Sequence, residues 1–194
     1  MNTRTEKQIA ELKRKLKTAE QKYRDLYENA RVALYRTRIS DGKVLECNNM
    51  LIRLFGYDNK VDFLKDRQYA ARDYKDIRRR KEFLTLLEKY GEVNSFEIET
   101  RKRDGSILWL RASARIYPKE GYIEGALFDI TPEKLLSPAE QRVFRLIMEG
   151  KSNQEIANEL HRSIRTIEDH RAHIMRKLGA HNIVELIKRG YGIY

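Results

Sequence analysis

The chain has one cysteine, Cys47, in 194 residues. A single thiol excludes an intramolecular disulfide and any cysteine-cluster zinc site, and it fits a reducing compartment. No apolar run reaches the ~20 residues that cross a bilayer, and the N-terminus is charged rather than signal-like. The expectation is a soluble, cytoplasmic protein with no membrane partner. Also missing are a phosphate-binding glycine loop, a Gly-x-Ser-x-Gly elbow and metal-ligand spacing among histidines and acids. His170 and His173 stand three apart beside Asp169, a weak metal pair, and packing or partner-proximal roles suit them better. After Thr131 there is no length for a kinase domain, and no phosphoacceptor receiver domain is present. No enzyme and no resident metal are expected.

Positive charge is plentiful: 40 Lys and Arg face 29 Asp and Glu, for a net +11 and a pI near 9.7. This balance favours an anionic partner. It does not locate one, because 8 basic residues face 5 acidic in 1–29, 21 face 16 in 30–131, and 11 face 8 in 132–194. Motifs must therefore carry any nucleic-acid claim. The length suits one large or two modest domains, each able to bury a core.

From the N-terminus, Ile9, Leu12, Leu16, Ala19, Tyr23, Leu26 and Ala30 recur at spacings of three and four, with no proline or glycine between them. That is an a/d heptad seam. Lys15 and Glu20 fall at g and the following e, where they attract across a parallel pair. Two readings stand. Ile9, Leu12, Leu16, Tyr23 and Leu26 form the seam of a dimerising coiled coil, or the helix lies on its own domain, since an isolated helix is marginal.

From Val32 the period becomes two. Val32–Ile39 and Lys43–Glu46 read as strands around Ser40-Asp41-Gly42, a hairpin signal. Asn49 to Gly56 reads as a short amphipathic helix, and 57–73 as charged, irregular turns. Tyr74 to Tyr90 reads as a longer helix with Ile77, Phe83, Leu84 and Leu87 inward and Arg78-Arg79-Arg80-Lys81 largely outside. Strands follow over Phe96–Arg101, Ile107–Tyr117 and Tyr122–Ile130, joined by Arg103-Asp104-Gly105-Ser106 and Lys119-Glu120-Gly121. Two strands, helices and three antiparallel strands make an α+β domain with helices over one sheet face.

The C-terminal third reads as helices. Ser152 caps one, with Glu155 completing a capping box and Ile156, Ala157 and Leu160 on one face. The chain turns at His161-Arg162. Ser163 then caps a longer helix that runs to the Gly179 stop, with Ile164, Ile167, Ile174 and Leu178 inward and Arg165, Glu168, Asp169, Arg171, Ala172 and Arg176 outward. A short helix supporting a longer one with a polar, basic outer face is a helix-turn-helix geometry.

Two resemblances follow from these residues. Leu136-Ser137, Glu140, Gly150, Ser152-Asn153-Gln154-Glu155-Ile156-Ala157, Leu160, Arg165-Thr166-Ile167, His170-Arg171, Ile174, Lys177-Leu178 and Val184-Glu185-Leu186-Ile187 stand in the order and spacing of LuxR-type regulators. The segment from Leu136 to Tyr191 resembles their four-helix DNA-binding domain. Tyr27-Glu28-Asn29-Ala30, Cys47-Asn48, Leu54-Phe55-Gly56-Tyr57, Arg103-Asp104-Gly105-Ser106 before Trp109-Leu110, and Asp129-Ile130-Thr131 resemble a PAS sensor over roughly 24–131. The implied architecture is a coiled-coil helix over 1–29, a PAS-like domain over 30–131, a short linker over 132–135 and an all-α LuxR-type helix-turn-helix domain over 136–194.

By the LuxR-type resemblance, Glu168, Asp169 and Ala172 occupy the face that reads base edges. Lys151, Asn153, Arg165 and Thr166 sit where phosphate contacts are expected, and Arg171, Arg176 and Lys177 add candidates. Relatives of this type frequently carry basic or apolar residues where this chain has Glu168 and Asp169. Acids repel phosphate but accept from cytosine N4; the plainer reading of Glu168 is a solvated side chain or a partner for Arg165 or Arg171. Val184 and Ile187 on the last helix are further pairing candidates. The expected partners are double-stranded DNA, a second copy of the chain and a small molecule in the PAS-like domain.

PAS sensors bind haem, flavins, small organic acids or nothing. All four histidines (His161, His170, His173 and His181) lie in the C-terminal domain, which disfavours histidine-ligated haem in the sensor. The position after Phe63 carries Leu64-Lys65-Asp66-Arg67-Gln68, without the cysteine of photoactive flavin domains. No cofactor is therefore implied. Cys47 reads as a small core residue or a redox sensor, and Trp109 and the tyrosines as core or pocket lining. The resulting expectation is a dimeric, sequence-specific transcription regulator. Its competitor is a protein-interaction adaptor whose helical domain binds protein.

Overall fold

The computed structural model describes residues 3–70 and 74–190. The last residue of the LuxR-type resemblance, Tyr191, and part of the irregular reading of 57–73 lie outside them. The chain begins with α1 (Thr3–Glu28), one unbroken helix. Ile9, Leu12, Leu16, Tyr23 and Leu26 are all exposed along it, Leu26 at 76%. The seam therefore does not lie on the protein's own domain. Among the described residues it is the last turn that is held, where the Tyr27 hydroxyl donates to the Leu34 carbonyl of the sheet and the Glu28 carboxylate accepts from the Asn49 amide.

The α+β unit follows as β1 (Ala33–Arg38), β2 (Val44–Cys47), α2 (Asn49–Leu54), α3 (Lys60–Asp66), α4 (Ile77–Tyr90), β3 (Glu92–Arg101), β4 (Ile107–Tyr117) and β5 (Tyr122–Asp129). The strands form one antiparallel sheet in the order β2-β1-β5-β4-β3. In β4, Leu108, Leu110, Ala112 and Ala114 are buried while the residues between them are half-buried, the alternation of a strand with one face in the core. Gly125 on β5 permits the close approach of β4: a Cβ there would lie 2.3 Å from the Ser113 carbonyl oxygen.

Asn48 fastens three elements together from a fully buried position. Its Oδ1 accepts from the Leu51 amide, capping α2, and from the Leu34 amide, each at 3.0 Å. Its Nδ2 donates to the carbonyls of Tyr27 at 3.0 Å and Val32 at 2.9 Å. Every polar valence is used, as a buried amide requires. Next to it, Cys47 is fully buried and burial pushes its thiol up; this is a core residue, with none of the thiolate character a redox sensor needs.

Several expectations for this unit need correction. The stretch 57–73 holds a helix, α3, capped by Asn59 through its hydrogen bond from the Asp62 amide. The helix placed at Tyr74 starts at Ile77, after the Asp76 cap. Its inward face is Arg80, Phe83 and Leu87; Ile77 is 65% exposed, and Arg80, expected outside, is only 7% exposed. The reason is helical phase: in a run of four cations followed by Phe83 and Leu87, the residue three before Phe83 shares its face. Strand β3 begins at Glu92, earlier than Phe96, through an irregularity between Val93 and Phe96.

The expected linker, 132–135, belongs to a helix, α5 (Thr131–Leu135). The Thr131 hydroxyl accepts from the Trp109 amide at 2.9 Å, Glu133 meets Arg111 at 2.8 Å and Lys134 meets Glu97 at 2.6 Å. The junction is thus bound to the sheet rather than slack. Four helices follow: α6 (Pro138–Met148), α7 (Asn153–Glu159), α8 (Ile164–Leu178) and α9 (Ile183–Gly190). They close around a second core in which Ile156, Ile167, Ile174 and Leu186 are wholly buried. Each such side chain contributes about 1.5–3 kcal/mol of hydrophobic stabilisation.

Candidate nucleic-acid interface

The interface is built from α7, the turn after it and α8. Ser152 caps α7 by accepting from the Glu155 amide, and Glu155 accepts from the Ser152 amide at 2.8 Å, the reciprocal box. The turn places His161 at φ 50°, a left-handed conformation uncommon for a non-glycine residue. Ser163 then caps α8 by accepting from the Thr166 amide at 3.1 Å, and Gly179 closes it in the left-handed region.

Along α8, Ile167, Ile174 and Leu178 are buried. Opposite them, Arg165, Glu168, Asp169, Ala172, His173 and Arg176 are exposed. Spacings of three and four put these side chains on one continuous stripe. His173 belongs to it, although its place in the sequence suggests no more than a weak metal partner for His170; its position four residues after Asp169 is the signal that places it here. Ile164, expected inward, is exposed instead, because it precedes the first turn that meets α7. Arg171, expected outward, is half-buried, and burial pushes its guanidinium down.

The candidate cations differ in how free they are. Arg165, Arg171 and Arg176 form no ion pair among the described residues. Lys151 is held between Glu149, at 3.4 Å, and Glu159. Lys177 reaches 2.7 Å to Glu140, a buried carboxylate that also accepts from the Ser137 amide at 2.7 Å. Thr166 shares a hydroxyl hydrogen bond of 2.8 Å with Ser163, and Asn153 is half-buried at the first residue of α7. Glu168 and Asp169 form no ion pair among the described residues, so the alternative of a partner for Arg165 or Arg171 does not describe Glu168. What the stripe can do chemically is donate from two exposed guanidiniums and one imidazole at its edges, and accept at two carboxylates in its centre. On α9, Leu186 is buried whereas Val184 is exposed and Ile187 half-buried.

Residues 134–189 match the luxR family of bacterial regulatory proteins, and residues 34–132 match the PAS domain family. Among similar proteins, an uncharacterized response regulatory protein of Escherichia coli, YgeK, is 49% identical over 53 residues, 27% of this chain and 36% of that protein. The tetrathionate response regulatory protein TtrR of Salmonella typhimurium is 30% identical over 116 residues, 55% of each. The chain thus spans about half or less of these relatives. A crystal structure of Vibrio cholera VqmA with ligand and DNA is 18% identical over 87% of both chains, with a TM-score of 0.43.

Proposed function

We propose that this chain, a PAS-domain protein over residues 34–132 whose residues 134–189 match the luxR family of bacterial regulatory proteins, is a homodimeric, sequence-specific transcription regulator whose PAS domain binds the signal. The family consists of DNA-binding regulators rather than enzymes. The observation that carries the reading is the stripe on α8, polar at every exposed position around Ala172 and opposite the buried Ile167, Ile174 and Leu178. An α-helix with that face enters the major groove with its N-terminal half against base edges.

Glu168, Asp169 and Ala172 take the base-reading positions. Arg165 and Thr166, at the N-terminal end of α8, take phosphate, helped by the helix dipole. Arg171 and Arg176 add cations from the same helix, and Asn153 a polar group from α7. Lys151 and Lys177 join only by leaving Glu159 and Glu140. In function the chain divides into the dimerising helix 1–29, the sensor 30–131, the coupling residues 132–135 and the output domain 136–194. The signal favours one of two arrangements of the paired recognition helices, which requires that it bind those arrangements with different affinity. The exposed α1 seam supports the dimer, with Val184 and Ile187 of α9 as a second contact, and two-fold symmetry predicts two half-sites.

The test is a titration of labelled duplexes by fluorescence anisotropy across salt concentrations. A regulator shows sequence preference and a steep linear fall of log K with log salt. Weak attraction without preference would return the stripe to a protein partner, as in an adaptor. Arg165→Ala is expected to weaken binding to all sequences and to reduce the salt slope by about one. Glu168→Ala is expected to change preference at a single base position, worth about 1–3 kcal/mol. Equal loss of specific and non-specific binding in both variants would overturn these roles.

A further inference from the structure

Acids are out of place against a polyanion, yet α8 carries two of them side by side in the middle of its exposed stripe. From Glu133 onward the chain has eight acidic side chains. Six are committed to partners. Glu133 meets Arg111 and Glu140 holds Lys177; Glu149 and Glu159 share Lys151; Glu155 accepts from the Ser152 amide and Glu185 from the His181 amide. The other two, Glu168 and Asp169, are exposed and form no hydrogen bond or ion pair among the described residues. They stay free although Arg165 stands three and four residues before them and His173 four after Asp169, the spacings at which helical charge pairs close. Ala172, one turn beyond Glu168, adds no bulk that would keep a base edge away.

An ionised carboxylate only accepts hydrogen bonds. On the major-groove edge of DNA, guanine offers two acceptors, thymine an acceptor and a methyl group, and adenine a donor beside an acceptor; cytosine alone offers a donor and no acceptor. An acceptor-only side chain is thus complementary to one base of the four. Successive residues point about 100° apart around a helix, so the two carboxylates diverge and each takes its own base pair. Facing an acceptor, either one would be desolvated against a lone pair and close to phosphate, with nothing to offset the cost. The pair therefore discriminates chiefly by rejection, a repulsive element built into the reading face. Attraction is left to the guanidiniums of Arg165 and Arg176 on phosphate.

We infer that each half-site contains two neighbouring G·C pairs whose cytosine N4 amino groups donate to Glu168 and Asp169, and that the two acids lower binding to every other sequence. This rests on the reading of the α8 stripe as the base-reading face and names the DNA that this face selects. Charge adds a consequence that a merely solvated pair of acids would not have in the same form. Converting either acid to its amide removes repulsion, so non-cognate DNA is bound more tightly while the preferred base changes.

The experiment is selection of bound duplexes from a random-sequence pool with the full chain, followed by anisotropy on the selected site. Two neighbouring G·C pairs are expected in each half-site. Replacing either cytosine by N4-methylcytosine keeps the base pair, whose remaining N4–H bonds guanine, and puts a methyl group in the groove. Affinity should then fall by about tenfold or more at each position. Glu168→Gln and Asp169→Asn lie on an exposed face, so both should fold, and an amide pairs with N6 and N7 of adenine. Each should move preference at its own position from cytosine to adenine and tighten binding to a non-cognate duplex several-fold. A selected site without the two G·C pairs, or one indifferent to N4-methylation, would overturn the inference and leave the regulator standing. Amide variants that keep the cytosine preference would do the same. No sequence preference in any duplex would sink the regulator and this inference with it.

Discussion

Replacing Leu12 and Leu16 together by aspartate is expected to turn a dimer into a monomer and to weaken binding to a two-half-site duplex by on the order of 10²-fold or more. The reason lies in α1. Its a and d residues are exposed, and a contiguous apolar stripe on an otherwise polar helix marks an interaction surface. Two such helices side by side bury the stripe in successive layers. Carboxylates at those two positions of the seam would be desolvated next to their own copies, which removes the interface rather than weakening it. Each monomer would then grip one half-site, without the effective-concentration gain of the second. Affinity for a duplex with a single half-site should be unchanged, and circular dichroism of the sheet should be intact. Sedimentation equilibrium reads the mass, and anisotropy reads the affinity. A dimer that survives both substitutions would move the pairing to α9.

Glu140→Gln is expected to cost about 2 kcal/mol of stability at neutral pH and to flatten the acid limb of unfolding. Glu140 is 4% exposed. Burial opposes its charge, but Lys177 and Ser137 outweigh burial and hold the carboxyl at about 2, below its ordinary 4.5. A carboxyl lowered in the folded state stabilises the fold fully above about pH 5 and progressively less as pH falls toward about 2. The Lys177 side chain is 39% exposed, so solvent screening reduces the full linkage value to the figure given. The tie runs from the start of α6 to the last turn of α8, so its loss loosens α8 at its C-terminal end. Urea unfolding at about pH 7 and about pH 3 tests this: the gap between wild type and variant should shrink at the lower pH. Parallel pH profiles would show that the carboxylate contributes nothing through its charge.

Period and punctuation carry most of the fold. Strands β4 and β5 are legible because alternation runs through long stretches bounded by Gly105 and Gly121. Helices α7 and α8 are legible from Ser152, Ser163 and Gly179. Helix α3 is not: it has seven residues, too few for a helical period to emerge, and its only sequence signal is Asn59 three residues before Asp62. The inward turn of Arg80 is hidden because a cation is read as solvent-facing unless its phase against Phe83 and Leu87 is weighed first. Candidate interface residues are legible as a helix face, since spacing of three and four sets a stripe. Which cations on that face are free is not legible. That depends on Glu140 and Glu159, and Glu140 stands 37 residues from its lysine, a separation that local pattern does not reach.

The position of Cys47 gives the protein an internal clock. Its sulfur is the chain's sole thiol and lies sealed in the sheet core, so a thiol-reactive dye can reach it only when that core opens. The rate of labelling is then the opening equilibrium multiplied by the chemistry of a free thiol. Breathing of the N-terminal domain is thereby measured at one atom, with no signal from the helices that follow and without any engineered probe.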